Sequence, residues 1–93
     1  MGTSIWHLQQ KKQRLEREIA VNFDFVIGSV TSQGPRGGFS LTTKERGKTR
    51  SKYIRNSMVG EVRKMTRRHQ KVKKLLKELA DLNWELLKAN HQP

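Results

Sequence analysis

The stretch FSLTTKERGKTRSKYI, residues 39–54, decides the fold. Its two arms, 39–44 and 48–54, are rich in β-branched, hydroxyl and aromatic residues, and Glu45-Arg46-Gly47 separates them. Arms of this kind read as strands, and a glycine between them reads as a hairpin turn. A three-residue loop with Gly47 in the left-handed position is expected. It pairs Lys44 with Lys48, Thr42 with Arg50 and Ser40 with Lys52 on one face. On the other face it pairs Phe39 with Tyr53, Leu41 with Ser51 and Thr43 with Thr49. This register is preferred because it sorts the arms into a basic, polar face and an apolar-to-neutral one. A two-residue turn at Arg46-Gly47 would set Lys52 against Leu41 and mix the faces. Lys44 facing Lys48 destabilises the pair unless an anion lies over it.

Upstream, residues 32–38 (SQGPRGG) hold three glycines and a proline and read as a loop, preceded by a strand over 25–31. Residues 4–21 read as a helix, with Ser4 at its start and Asn22 as its stop. In it Ile5, Leu8, Leu15 and Ile19 fall at heptad spacing, with Lys12 in the missing slot. Downstream, Ser57 opens a long helix to about residue 89. Its seam is Met58, Val62, Met65, His69, Val72, Leu76, Leu79, Asn83 and Leu86, alternating steps of four and three.

The expected class is therefore α+β: an N-terminal helix, a three-stranded antiparallel sheet, and a long C-terminal helix forming an antiparallel helical pair with the first. One small domain over 1–93 is expected, with the helix at 4–21, the sheet within 25–55 and the long helix at 57–89. The C-terminal helix carries more apolar surface than one short helix covers. Leu79, Leu82, Asn83, Leu86 and Leu87 are the expected interface with a second copy or a protein partner.

Composition narrows the chemistry. The chain has 93 residues, 33% of them apolar, so its core is thin. It has no cysteine, which excludes disulfides and thiol chemistry and fits a reducing, cytoplasmic setting. No apolar run approaches the roughly 20 residues of a membrane span. The first 20 residues are too charged for a secretory signal. Net charge is +12, and all of it falls in residues 36–74, where fourteen Lys and Arg face only Glu45 and Glu61. Charge segregated in this way is the footprint of a polyanion binder.

No catalytic constellation is legible. His7, His69 and His91 are far apart, and His69 reads as a core or interface residue rather than a metal ligand. Glu16 and Glu18 lie on different helix faces. Gly34-Pro35-Arg36-Gly37-Gly38 lacks the Lys-Ser/Thr ending of a phosphate-binding loop. No enzyme activity, cofactor or metal is expected. The expected nucleic-acid contacts are Arg36, Lys44, Lys48, Arg50, Lys52, Arg55, Arg63, Lys64, Arg67, Arg68, Lys71 and Lys74. Lys44, Arg50 and Lys52 would approach a major groove from one sheet face, with Ser40 and Thr42 between them, while the helix bases hold phosphates. Phe39 and Tyr53 fall on the core face in this register, leaving no stacking platform, which favours duplex DNA over single strands. The expected function is non-enzymatic DNA binding, nucleoid-associated and without a membrane. The alternatives are a structured-RNA or ribonucleoprotein subunit and a coiled-coil protein–protein adaptor.

Gly28-Ser29-Val30-Thr31, Gly34-Pro35 followed by Phe39, Gly47-Lys48-Thr49, and Tyr53-Ile54 before Ser57 together resemble an uncharacterised family of small basic bacterial and archaeal proteins. Members of that family are found beside transposases and phage genes. The resemblance implies the mobile-element setting, with the chain as an accessory or regulator of a mobile element or phage. Many of those proteins carry a cysteine cluster before the Gly-Pro loop that looks metal-binding; this chain has none, so no metal site carries over. The strand–hairpin–helix part is also similar, at the level of fold, to the arm-type DNA-binding domains of tyrosine integrases.

Overall fold

The computed structural model of the chain describes residues 4–35 and 37–91. Its elements are α1 (Ile5–Ala20), β1 (Ser29–Ser32), β2 (Phe39–Glu45), β3 (Lys48–Ile54), a 3-10 turn (Asn56–Met58) and α2 (Val59–Asn90). An N-terminal helix, a three-stranded antiparallel sheet in the order β1-β2-β3 and a long C-terminal helix make an α+β arrangement. The chain falls into two compact units, Asp24–Gln70 and the residues before and after it, and α2 contributes to both.

The helical unit holds α1 and the part of α2 from Lys71 on. Ser4 caps α1 by accepting a hydrogen bond from the Trp6 backbone N–H at 3.2 Å. At the other end the Asn22 side-chain amide donates to the Glu18 carbonyl at 2.7 Å, satisfying one of the helix's orphan acceptors. Leu15 and Ile19, one turn apart, are buried on α1. Leu8 and Lys11 line a cleft with Glu78, Asp81, Leu82, Trp84 and Glu85, so the start of α1 lies beside the end of α2.

The buried face of α2 differs from the expected seam. Val72, Leu75, Leu82 and Leu86 are buried, whereas Leu76 is half exposed and Asn83 is exposed. The steps 72, 75, 79, 82, 86 describe the same helical stripe with the three- and four-residue steps exchanged. That choice puts Leu82 where the expected seam would bury the Asn83 amide, a group that is costly to bury unpaired. Met58 lies in the 3-10 turn and is also exposed.

In the Asp24–Gln70 unit the hairpin turn has two residues. Arg46 and Gly47 both take positive φ, 50° and 79°, as a type I′ turn requires. The register is therefore Glu45↔Lys48, Lys44↔Thr49, Thr43↔Arg50, Thr42↔Ser51, Leu41↔Lys52, Ser40↔Tyr53 and Phe39↔Ile54. The expected three-residue loop and its pairs are corrected by this. Phe39, Leu41, Thr43, Lys48, Arg50, Lys52 and Ile54 share one side of the sheet with Val30, and the Arg63 guanidinium of α2 lies 5.6 Å from the Phe39 ring centre on it. The other side carries Ser29, Thr31, Ser40, Thr42, Lys44, Thr49, Ser51 and Tyr53.

The first strand is shorter than expected: residues 25–27 form no regular element, Gly28 is a bend, and pairing begins at Ser29. Phe25 instead packs against the His69 ring, 5.2 Å between centres. Gly28 makes the departure possible. Its φ is +139°, and a Cβ there would lie 2.8 Å from the Thr42 carbonyl oxygen and 2.8 Å from Thr43 Cγ2.

Two stability measurements follow from this packing. Gly28→Ala introduces both a strained φ and a collision with β2, so urea unfolding should show a loss of about 2–3 kcal/mol. Leu75→Ala should lose about 2–4 kcal/mol, while Leu76→Ala should stay within about 0.5 kcal/mol of the parent. The reverse ranking would mean that the expected seam, not the observed one, packs the helices.

Candidate nucleic-acid interface

The charges of the Asp24–Gln70 unit are eleven Lys and Arg against Asp24, Glu45 and Glu61. All three acids are engaged, and two of them converge on one guanidinium. Arg68 donates to the Asp24 backbone carbonyl at 3.0 Å and lies 3.8 Å from the Asp24 carboxylate and 3.6 Å from Glu61. Glu45 pairs with Arg50 at 3.3 Å, beside Lys48 across the turn. Among the described residues, Lys44, Arg46, Lys48, Lys52, Arg55, Arg63, Lys64 and Arg67 keep no carboxylate partner. All eight are exposed.

These cations do not share a single sheet face. Lys44 stands on the hydroxyl side, whereas Lys48, Arg50 and Lys52 stand on the side that carries Phe39 and Ile54. The expected basic strip of Lys44, Arg50 and Lys52 with Ser40 and Thr42 between them is not formed, because the two-residue turn shifts every β3 side chain to the other side. Lys52 sits across from Leu41 instead.

The hydroxyl side has its own order. Thr31 and Thr42 are 2.9 Å apart through their hydroxyls, and Thr42 and Ser51 3.4 Å apart, so a row of hydroxyls crosses the three strands. Each hydroxyl offers one donor and two acceptor positions, leaving capacity for an outside partner. Ser29, Thr49, Ser51 and Tyr53 are exposed on this side. Sequence reasoning missed this surface: it assigned Tyr53 to the core and expected no stacking platform, and Tyr53 is 70% exposed.

On α2, Arg63, Thr66, Arg67 and Gln70 line one side of a shallow cleft of about 260 Å³, and Gly28, Ser29 and Val30 line the other. The spacing of three and four residues puts these four side chains on one helical face. Thr66 donates its hydroxyl to the Arg63 carbonyl at 2.8 Å, so it is fixed. Arg67 and Gln70 bring exposed donors to this cleft, chemistry suited to phosphate oxygens, while the Arg63 guanidinium lies over the Phe39 ring. Lys64 is exposed on the same helix.

The remaining expected contacts fall elsewhere. Lys71 and Lys74 are exposed on α2 within the helical unit. Arg36 lies outside the described residues. Of the expected partner interface, Leu82 and Leu86 are buried within the chain, Leu79 is half-buried, and Asn83 and Leu87 are exposed. Trp84, Leu76 and Leu87 are the apolar residues that α2 leaves open. His69 is half-buried, and its Nδ1 has no hydrogen-bond partner. Among the described residues no cluster of His, Asp and Glu could hold a metal ion, and no helix is long and apolar enough to cross a membrane.

Comparison with protein-family models, with curated proteins and with solved structures finds no match to this chain.

Arg68 holds the chain before β1 to α2, so Arg68→Gln should lower stability by about 1–2 kcal/mol in thermal or urea unfolding. Arg67→Gln, one residue away and without a carboxylate partner, should leave stability unchanged within about 0.5 kcal/mol. Equal losses would show that the tether from Asp24 to Arg68 contributes nothing.

Proposed function

We propose that the chain is a non-enzymatic nucleic-acid-binding protein whose Asp24–Gln70 unit docks on a phosphate backbone, with duplex DNA as the ligand. The observation that carries this reading is the disposition of the acids. Three carboxylates gather on two arginines and leave eight exposed cations of that unit without a counter-charge. A surface built only to stay hydrated has no reason to withhold acids from one half of its charge. Like-charged groups held close on a small unit repel one another, and a polyanion relieves that repulsion while releasing its own counterions.

The corrected register changes how a groove would be met. The side offered here to a base edge is the hydroxyl row with Lys44; Lys48, Arg50 and Lys52 are exposed on the other side. Three strands at about 4.8 Å spacing are roughly 10 Å across, which fits a major groove about 12 Å wide. Ser and Thr hydroxyls pair with either donors or acceptors, and a Thr methyl can touch a thymine methyl. Such a face reads bases weakly, so phosphate contact supplies most of the affinity. The mobile-element or phage role rests on the motif resemblance alone.

The same helix supports a second, compatible feature. Leu76, Trp84 and Leu87 stay open on α2, and the stretch around them runs from Lys73, Lys74 and Lys77 to Glu78, Asp81 and Glu85. An antiparallel second copy would set the bases of one helix against the acids of the other, which supports a homodimer through this face.

If six to eight of the free cations contact phosphate, log K for duplex DNA should fall with log salt at a slope of roughly −5 to −7. Arg67→Gln and Lys44→Gln should each flatten that slope by about 0.9, and Arg68→Gln should leave it unchanged. A slope near zero in a fluorescence-anisotropy titration removes the proposal.

A further inference from the structure

The loop between β1 and β2 is closed by the Gln33 N–H bonding to the Gly38 carbonyl at 2.8 Å. Beside it lies an open cleft of about 740 Å³, large enough for a nucleobase and its sugar. Gly34, Pro35, Gly37 and Gly38 form one wall; Tyr53, Phe39, Ser32 and Asn56 complete it. Gly34 and Gly38 take φ of +92° and +73°, conformations that suit glycine. A Cβ on Gly38 would come within 3.4 Å of Tyr53 Cε2, so the phenol ring rests against that backbone while most of it stays open to water.

An open aromatic ring at the margin of a cleft offers the face on which a planar base gains contact. The polar groups are placed at the cleft's margin. Ser32 already accepts from the Gly34 N–H at 3.3 Å, which leaves its hydroxyl proton free to donate. The Asn56 amide supplies both donors and acceptors, as the edge of a base requires. No carboxylate lines the cleft, and Arg55 is exposed two residues beyond Tyr53. A strand carrying phosphates meets attraction here rather than repulsion.

From these features we propose that the cleft receives one unstacked nucleobase of the bound nucleic acid, with its face on Tyr53 and its edge toward Ser32 and Asn56. The inference rests on the nucleic-acid reading above and adds to it the form of the target: a site with an unpaired nucleotide, such as a bulge, junction or strand end. Stacking does not distinguish among bases, so the selectivity is for an available base rather than for a sequence.

The test uses the full chain with three fluorescent probes: a fully paired DNA duplex, the same duplex with one bulged 2-aminopurine, and an RNA duplex with the same bulge. The bulged DNA should bind about tenfold tighter than the paired duplex, with 2-aminopurine emission quenched on binding. Tyr53→Ser should abolish both the preference and the quenching, bringing the bulged probe to the affinity of the paired duplex. Tyr53→Phe should retain them. Because Tyr53 is exposed, the unfolding midpoint of each variant should match the parent, which guards against misfolding. Preference and quenching on the RNA bulge alone would support the base site and overturn duplex DNA as the ligand. Equal binding of paired and bulged probes, or an equal loss on both with Tyr53→Ser, overturns the base site and leaves the backbone-docking reading standing. Failure to bind any probe defeats that earlier reading as well.

Discussion

The left-handed backbone at Arg46 and Gly47 is the constraint on which the sheet depends. A turn of two residues and a turn of three differ by a single step in register, and one step moves every side chain of β3 across the sheet. With two residues, Glu45 comes opposite Lys48 and within reach of Arg50, so the charges at the tip attract. With three, two lysines would face each other there. The arrangement requires Lys52 to sit across from Leu41. That neighbour is tolerable because a lysine's methylene stem can lie on apolar surface while its ammonium stays in water.

The helices were legible because they announce themselves locally. Ser4 ahead of an apolar-periodic run and Asn22 behind it marked α1 to within one residue, and both side chains make the terminal hydrogen bonds. The seam on α2 was legible as a stripe but not residue by residue. Leu75 and Leu76 are adjacent leucines, and either fits a heptad; what selects between them is whether the next turn buries Leu82 or Asn83. The hairpin was legible as a hairpin but not in register. Amphipathic sorting argued for the longer loop, and the turn's own backbone preference, carried by Gly47 with a non-glycine partner in αL, prevailed.

For the interface, the charge asymmetry was visible in the sequence and its pairing was not. Nothing in the order of residues says that Asp24 and Glu61, on either side of the sheet in sequence, would meet on Arg68. That convergence removes one arginine from the pool that faces an external anion, and it releases the neighbouring bases from any internal partner. Tyr53 was equally hidden. Its side of the sheet is set by the turn seven residues upstream, so a ring expected in the core stands on the open side instead.

The sheet ends in two unpaired margins, β1 on one side and β3 on the other. An open strand is a template for aggregation with another chain. Along β3 the alternation of Lys48, Arg50 and Lys52 means that a second copy aligned strand to strand would crowd cation on cation. The same positive charge that suits the molecule to a polyanion thus acts as a guard against self-assembly into extended β-structure. Because ionic strength weakens that guard as it weakens phosphate binding, concentrated salt strips the margin of its protection just when it frees the protein from its ligand.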